Sequence, residues 1–193
     1  FIECLPRNII NFGFIQFNQN GGLPALLRRM EEKDPAAFQR IFQGMNTDQL
    51  LAIPNLYDEP YKSMFQEAGA YPAFQEAQRE QAIAGYMNPA INTLKEWGIT
   101  DPVNEVSPVL LAQMFDTNVN FGVGGGSGIF DEAARRTGLH PPLSEAQAQE
   151  LSNMIGEIRR ERSEGKSYYN AMVNRTSTYM SENGEPSEFM QEF

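Results

Sequence analysis

One stretch near the N-terminus constrains this chain more than any other: residues 11–27, NFGFIQFNQNGGLPALL. Its first half is aromatic and β-prone, and Gly13 permits a close approach of backbone or ligand. Its second half is rich in amides and ends in Gly21-Gly22, and an apolar helical pattern begins beyond Pro24. We therefore predict a strand over Asn11–Phe17 that leads into this run of amides. Uncharged hydrogen-bonding groups suit polyhydroxylated, amide-bearing material better than phosphate or metal.

Length and composition bound the fold class. The chain has 193 residues, of which 41% are hydrophobic and 21% charged, as expected of a globular domain with a real core. No apolar run approaches the roughly 20 residues of a membrane span, and no basic-then-apolar signal segment opens the chain. Because the chain begins on the apolar residue Phe1, we expect residues 1–193 to form a single domain excised from a longer protein.

The charge excludes one class of partner. A net charge of −10 makes nucleic acid an unsuitable ligand, since phosphate binding needs a basic surface. The densest basic cluster, Arg159 to Arg162, is interleaved with glutamates, which is typical of a solvated helix face. An acidic protein attracts a polycation such as chitosan, whereas an anionic polymer gains nothing from long-range steering.

Metal and cofactor chemistry has little support in the sequence. Cys4 is the only cysteine, which excludes an internal disulfide framework and a cysteine-based zinc site. His140 is the only histidine and precedes two prolines in a predicted turn. The glycine-rich segment Gly122–Gly128 lacks the ending of a phosphate-binding loop and is predicted to be a flexible loop. We expect no metal and no cofactor.

Helix signals follow one another after the amide run. Asp34 before Pro35 predicts an N-cap with proline at the first helical position, and Ser107 before Pro108 predicts a second cap. Ser144 with Gln147 has the spacing of a capping box.

The segment Tyr71–Trp97 is long and amphipathic. Pro89 should divide it near Gly85, and Gly98 should end it. A further helix is predicted over Tyr168–Met180. The chain is thus predicted to be mostly helical, with a small β element near its N-terminus.

Three segments carry a family resemblance. Residues 12–18, FGFIQFN, resemble a strand of bacterial peptidoglycan hydrolases in the chitosanase-like branch of the lysozyme superfamily. Residues 71–78, YPAFQEAQ, are similar to the central helix of that family, and residues 110–116, LLAQMFD, are similar to its Phe-Asp helix. The resemblance implies a lysozyme-like α+β fold, with two helical lobes around a cleft. It also implies hydrolysis of the β-1,4 glycan backbone.

The resemblance also implies catalytic residues. Glycoside hydrolysis needs a carboxylic acid that protonates the leaving group, and Glu3 is the only carboxylate before the predicted strand. Its apolar neighbours would raise the pKa of a carboxyl group. Chitosanases carry an aspartate before the strand where this chain has Pro6, and a water-orienting threonine where it has Asn11. Either polar groups such as Asn11 hold the water, or a loop is missing, or Glu3 fills the other role.

Three further residues are candidate substrate ligands. Gln16 and Asn18 lie in the amide run, where side chains of a short polar strand commonly face ligand or solvent. Asp116 ends the third resembling segment, although an acid in such a helix is more often a buried or surface hydrogen-bonding residue than a sugar ligand.

Three functions remain open at this stage. The first is a lysozyme-type peptidoglycan hydrolase, which the Gln16-Phe17-Asn18 triplet favours. The second is a chitosanase, which the acidic charge favours, and the third is a catalytically silent glycan-binding module, which the missing aspartate favours. For the hydrolase we expect a secreted antibacterial toxin that acts in the periplasm or on the cell wall of target bacteria. A secretion-system carrier and an immunity protein would then be its partners.

Overall fold

The computed structural model describes the backbone of residues 3–4 and 10–164 and the side chains of residues 11–164. The chain forms two compact units, Phe1–Ala84 and Gly85–Phe193. The helix predicted over Tyr168–Met180 lies outside the described residues.

The first unit begins with a small antiparallel sheet and continues as helices. Its strands stand in the order β1 (Glu3–Cys4), β2 (Ile10–Phe12) and β3 (Phe17–Asn18). The helices that follow are α1 (Leu23–Lys33), α2 (Pro35–Ile41), α3 (Thr47–Leu51), α4 (Tyr61–Ala70) and α5 (Pro72–Ala82). Helix α1 lies at the centre of the unit, where it packs against α2, α3, α5 and β3.

The predicted strand over Asn11–Phe17 is wrong in its extent, because the segment folds into a hairpin. Gly13 has a φ of 79° and Gln16 a φ of 59°, both in the left-handed region that an extended strand cannot include. The Gln16 N–H donates a hydrogen bond of 3.3 Å to the Gly13 carbonyl and closes the turn. Phe12 then pairs with Phe17 across the two strands. The glycine that suggested close approach is therefore the first residue of a turn.

Aromatic rings form the core of the first unit. Phe12 of β2 meets Phe65 of α4 edge to face at 5.2 Å between ring centroids, and Phe65 in turn meets Phe42 at 5.3 Å. Phe38 contacts both Phe42 and Phe74, and because Phe74 belongs to α5, the cluster extends to that helix. Such edge-to-face pairs add stability beyond that of buried area alone. The cluster thus fixes the sheet and helices α2, α4 and α5 in one arrangement.

The predicted N-cap Asp34 is confirmed and has a second role. Its carboxylate accepts a hydrogen bond of 2.9 Å from the Ala37 N–H at the start of α2. The Tyr71 hydroxyl donates to the other carboxylate oxygen at 2.6 Å. The bond from Tyr71 and the bond from Ala37 hold the pKa of Asp34 below its usual value, and the bond to Asp34 raises the pKa of Tyr71.

The second unit is helical throughout its described part. A π-helical turn, Ile83–Met87, follows α5, and the next elements are α6 (Asn88–Glu96), α7 (Pro102–Glu105), α8 (Pro108–Thr137) and α9 (Glu145–Ser163). The predicted break near Gly85 is confirmed as this π-helical turn. Proline 89 has no N–H to donate to the carbonyl four residues earlier, at Gly85, so a regular α-helix cannot continue there.

Helices α8 and α9 pack against each other along their length and are joined by ion pairs. Arg136 contacts both carboxylate oxygens of Glu161 at 2.8 Å, and Glu132 binds Arg136 and Arg162. The bond from Arg162, followed by that from Arg136, lowers the pKa of Glu132. The capping box predicted for Ser144 and Gln147 is present at the start of α9.

The flexible loop predicted over Gly122–Gly128 is wrong, because these residues lie inside α8. Only Gly122 has non-helical angles there, with φ 71° and ψ 161°, and it marks a kink. A Cβ on Gly126 would lie 2.0 Å from the Asn118 side-chain oxygen, so the absence of a side chain allows that buried amide to fit. Packing of Gly126 with Ile129 and Phe130 in the buried face outweighs the low helix propensity of glycine.

The fold class is therefore confirmed at a coarse level: the chain is mostly helical, with a small antiparallel sheet near its N-terminus. The lysozyme-like arrangement of two lobes around a cleft, and the assignment of residues 1–193 to a single domain, stay predictions. Within the portion that the structure describes, none of the helices is both long and apolar enough to span a bilayer.

Candidate functional site

A groove of about 790 Å³ opens in the first unit where the β2–β3 turn meets helices α4 and α5. This volume is in the range of small-molecule and sugar sites. Its polar lining comes from the loop before α4 and from α4 and α5: Tyr57, Lys62, Gln66, Gln75, Gln78 and Arg79. Its apolar lining includes Phe12, Phe14 and Phe65. The groove is thus bordered by aromatic rings, amides and two cations.

Two aromatic rings at the groove can serve as stacking surfaces. Phe14, in the β2–β3 turn, is 40% exposed and is steadied by an edge-to-face contact with buried Phe17 at 6.3 Å. Tyr57 is half-buried and its backbone N–H is bound by the Asn55 side chain at 3.1 Å. The ammonium of Lys62 lies over the Tyr57 ring, 5.3 Å from its centroid. An exposed ring on a fixed turn can contact the apolar face of a pyranose.

The floor of the groove depends on one close approach. Gln78 of α5 is 3% exposed, and its Oε1 occupies the space beside Gly13. A Cβ on Gly13 would lie 2.2 Å from that oxygen, a distance that two atoms cannot adopt. A second small residue, Gly69 of α4, lies against the Phe12 ring, where an added Cβ would be 3.4 Å from Cε2. Gly13 thus lets the turn lie close to α5, and Gly69 lets the Phe12 ring of β2 lie close to α4.

The groove has a charge opposite to that of the whole chain. Among the side chains that the structure describes, its charged lining residues are Lys62 and Arg79, both basic, whereas the chain carries a net charge of −10. Arg79 makes an ion pair of 2.8 Å with Glu76 on the same helix. Gln75 donates to the Gly69 carbonyl at 3.1 Å and so extends across the α4–α5 junction. Since Arg79 is already paired with Glu76, Lys62 is the cation of the groove that an anionic group of a ligand would meet.

Three of the predicted site residues form one row across the sheet. The register pairs Glu3 with Asn11 and Asn11 with Asn18. Residues directly opposite each other in antiparallel strands have Cα atoms about 4.5–5.5 Å apart. Asn11 is only 7% exposed, and successive strand residues alternate between faces, so Asn11 and Asn18 lie on the face opposite to the Phe12–Phe17 pair. The positions of Glu3, Asn11 and Asn18, which we call the polar row, are thus in register across the sheet, and Asn11 and Asn18 lie on the face opposite to the Phe12 wall of the groove.

Gln16 and Asn18 both make hydrogen bonds within their own turns. The Gln16 side-chain nitrogen donates to the Gly13 carbonyl at 3.3 Å, and its Oε1 is buried without a hydrogen-bond partner among the residues that the structure describes. The Asn18 side-chain oxygen accepts from the Asn20 N–H at 3.1 Å. Neither side chain lines the groove. Their observed contacts therefore stabilise the hairpin and the turn before α1.

Asp116 lies in the second unit and is fully buried. Its carboxylate pairs with the guanidinium of Arg159 on α9, which is itself 2% exposed. Asn120 donates to the other carboxylate oxygen at 3.0 Å. This is the buried hydrogen-bonding role that the sequence left open for such an acid, and we do not include Asp116 in the candidate site.

Metal ligation finds no support within residues 11–164, where no group of three or more His, Cys, Asp or Glu side chains is placed to hold an ion. His140 lies in the loop between α8 and α9, in the second unit. Cys4 belongs to β1 and its side chain is not among those described.

The chain was compared with protein-family models, curated proteins and solved structures, and none of them matches it.

Most of the groove residues could not be found from the sequence. Tyr57, Lys62 and Gln66 belong to no motif, and they come together only because α4 packs on α5 and the hairpin turn. The available signals were the first resembling segment, which contains Phe12, Gly13 and Phe14, and the second, which contains Gln75 and Gln78. The amphipathic character predicted for this region is confirmed in α5, which buries Phe74, Ala77, Gln78 and Gln81. A buried glutamine on a helix face that is otherwise apolar indicates a position where an amide is needed.

Proposed function

We propose that this chain binds the glycan strands of bacterial peptidoglycan in the groove and hydrolyses their β-1,4 backbone. The observation that carries the proposal is the lining of the groove: exposed Phe14, the amides Gln66 and Gln75, and the cations Lys62 and Arg79. Peptidoglycan presents hydroxyl groups, acetamido groups and the carboxylates of its stem peptides. Each of these has a matching donor, acceptor or charge on the groove wall.

The local charge separates peptidoglycan from chitosan. The net charge of −10 favours a polycation, but the two described charges that line the groove are both positive. A cationic polymer would bring a like charge to Lys62, which is unfavourable at contact distances. We therefore favour the anionic polymer as substrate over chitosan.

The polar row supplies the catalytic part of the proposal. Glu3 is the proposed general acid, which protonates the leaving-group oxygen, and Asn11 is the proposed group that orients the attacking water. Their strands place them opposite each other, and Phe12 of the same strand lines the groove. The roles themselves come from the family resemblance.

A catalytically silent glycan-binding module is the second candidate. It is favoured by the burial of Asn11, which is 7% exposed, and by a groove whose described lining contains no carboxylate. Such a module would bind peptidoglycan through the same groove without breaking it.

The hydrolase would fit a wall-degrading antibacterial toxin. Its site of action would be the periplasm or cell wall of a target bacterium. A carrier of a secretion system and an immunity protein would be its protein partners. An immunity protein would be expected to cover the groove, because that would block substrate binding.

The test is parallel incubation of the chain with purified peptidoglycan and with chitosan, with and without a chelator. Soluble fragments are identified by mass spectrometry, and protein bound to the insoluble polymer is measured by sedimentation. We expect cleavage of peptidoglycan that the chelator does not change. Binding without cleavage would support the silent module, and activity on chitosan alone would reject the peptidoglycan proposal.

A further inference from the structure

A second cavity, of about 490 Å³, lies in the second unit and contains the only tryptophan of the sequence. Trp97 lines it together with Asp131 and Arg135 of α8 and His140 of the following loop. None of these residues belongs to the groove or the polar row. The cavity combines one large flat ring with groups that both donate and accept hydrogen bonds.

The backbone around the cavity is fixed by two helix ends. Trp97 is the C-terminal cap of α6, and its N–H donates to the Thr93 carbonyl at 3.1 Å. Gly138 caps α8 in the left-handed conformation with φ 66°, and its N–H donates to the Ala134 carbonyl at 2.9 Å. A glycine at this position closes the helix without the steric cost that a side chain would add. The backbone that carries the tryptophan ring is thereby held in place.

Asp131 and Arg135 differ from their neighbours on the same helix. Glu132 and Arg136, one position further on, form ion pairs with Arg162 and Glu161 of α9. Asp131 and Arg135 are exposed and line the cavity, and neither has an ion pair within the described part of the chain. They lie four residues apart on one face of α8, so both can reach a single bound molecule. Their charges balance each other, which removes any preference for a charged ligand.

The helix ends also argue against phosphate. Two helices, α6 and α8, end at this cavity, and a helix C-terminus carries partial negative charge on its free carbonyl groups. This partial negative charge disfavours a bound anion. A carboxylate, a guanidinium and an imidazole beside an indole ring are suited to the hydroxyl pairs and apolar face of a pyranose.

We propose that this cavity is a binding site for an uncharged saccharide. The sugar ring stacks on Trp97, its hydroxyls donate to Asp131, and Arg135 donates to its oxygens. The site is independent of the proposed hydrolysis, since it lies in the other unit and shares no residue with the groove.

The experiment uses the tryptophan as its own reporter. The full chain is titrated with the tetramer of N-acetylglucosamine, and the emission of Trp97 is recorded. We expect a saturable change in emission. Asp131→Asn and Arg135→Gln should each weaken binding about tenfold, as the loss of a charge-assisted hydrogen bond does.

Two matched variants control the titration. Arg160→Gln removes an exposed arginine of α9 that does not line the cavity, and it should leave the titration unchanged. Lys62→Gln alters the groove and should also leave it unchanged, which distinguishes this site from the proposed substrate site.

Three results would overturn the proposal. These are no saturable change in emission, a titration that Asp131→Asn and Arg135→Gln do not alter, and tighter binding of inorganic phosphate or a nucleoside triphosphate than of the sugar.

Discussion

Gln78 and Gly13 interlock: the amide oxygen of the buried glutamine occupies the space where any other residue at position 13 would carry its Cβ. The glutamine belongs to α5 and the glycine to the hairpin turn, so this contact joins the helix to the turn that borders the groove. The groove floor exists only while position 13 lacks a side chain. A substitution at Gly13 therefore changes the shape of the groove without replacing any of its polar side chains.

Gly13→Ala should unfold at a lower temperature and bind peptidoglycan weakly. The matched control is Gly44→Ala, because Gly44 has a similar φ of 82° but its nearest neighbour would lie 3.9 Å from an added Cβ. Both variants incur about 1 kcal/mol for alanine at positive φ, and only Gly13→Ala also displaces Gln78. Equal losses of stability and equal binding in thermal melts and sedimentation assays would show that the contact does not shape the groove.

Lys62→Gln should weaken binding to peptidoglycan roughly three- to fivefold, which is typical of one partly exposed ionic contact. The effect should shrink as salt is added, because added ions screen the charge. Arg28→Gln is the control, since Arg28 is an exposed arginine of α1 paired with Asp48 at 3.6 Å and does not line the groove. Equal weakening in both variants would indicate a general charge effect.

Tyr71→Phe should lower the melting temperature more at pH 7 than at pH 2.5. The hydrogen bond from the tyrosine hydroxyl is the main cause that holds the pKa of Asp34 below its ordinary value. A carboxyl whose pKa is depressed by folding stabilises the native state above its unfolded pKa, and that contribution is lost as the pH falls through the folded pKa. Melting curves of both proteins across this range provide the measurement. A difference that stays constant with pH would contradict the assigned cause.

Asp116→Asn should destabilise the chain by about 3–5 kcal/mol, because it leaves the Arg159 charge buried without its partner. The double variant Asp116→Leu with Arg159→Met removes both charges and should recover part of the loss. Urea unfolding measures both. Activity per folded molecule should stay unchanged in either variant. A folded Asp116→Asn protein that has lost activity would instead make Asp116 a substrate ligand.

The helix caps show what the sequence can predict. Asp34 and Ser144 were identified from residue type and spacing alone, and both cap helices as expected. Capping depends on contacts within one helical turn, so a few neighbouring residues determine it. The break at Pro89 is also a local effect, because proline has no N–H to donate to the carbonyl four residues before it.

The glycine-rich segment shows where local reasoning failed. Gly122–Gly128 has the composition of a loop, yet it is helical because Gly126 must lie against Asn118 and Phe130. At Gly13 the prediction failed in the opposite direction: the β-prone aromatic residues predicted one continuous strand, whereas the chain turns there. In both cases the deciding contact comes from outside the segment, and propensity is only a weak guide against tertiary packing.

The candidate site likewise contains residues that the sequence could indicate and residues that it could not. The resemblance directed attention to Glu3, Asn11 and Asn18, and the strand register places these three in one row. The groove residues Tyr57 and Lys62 had no sequence signal, since their role arises only from the packing of α4 near the hairpin.

The most direct test of the central claim compares the natural chain with Glu3→Gln on purified peptidoglycan. Glutamine keeps the shape of the side chain and removes its proton, and general acid assistance is worth about 10² to 10⁴ in rate. New sugar reducing ends are measured chemically, fragments are identified by mass spectrometry, and sedimentation verifies that both proteins bind the polymer equally. We expect new reducing ends, intact peptide links and a loss of at least about 100-fold in Glu3→Gln. Cleaved peptide bonds, or equal turnover by the two proteins, would contradict it.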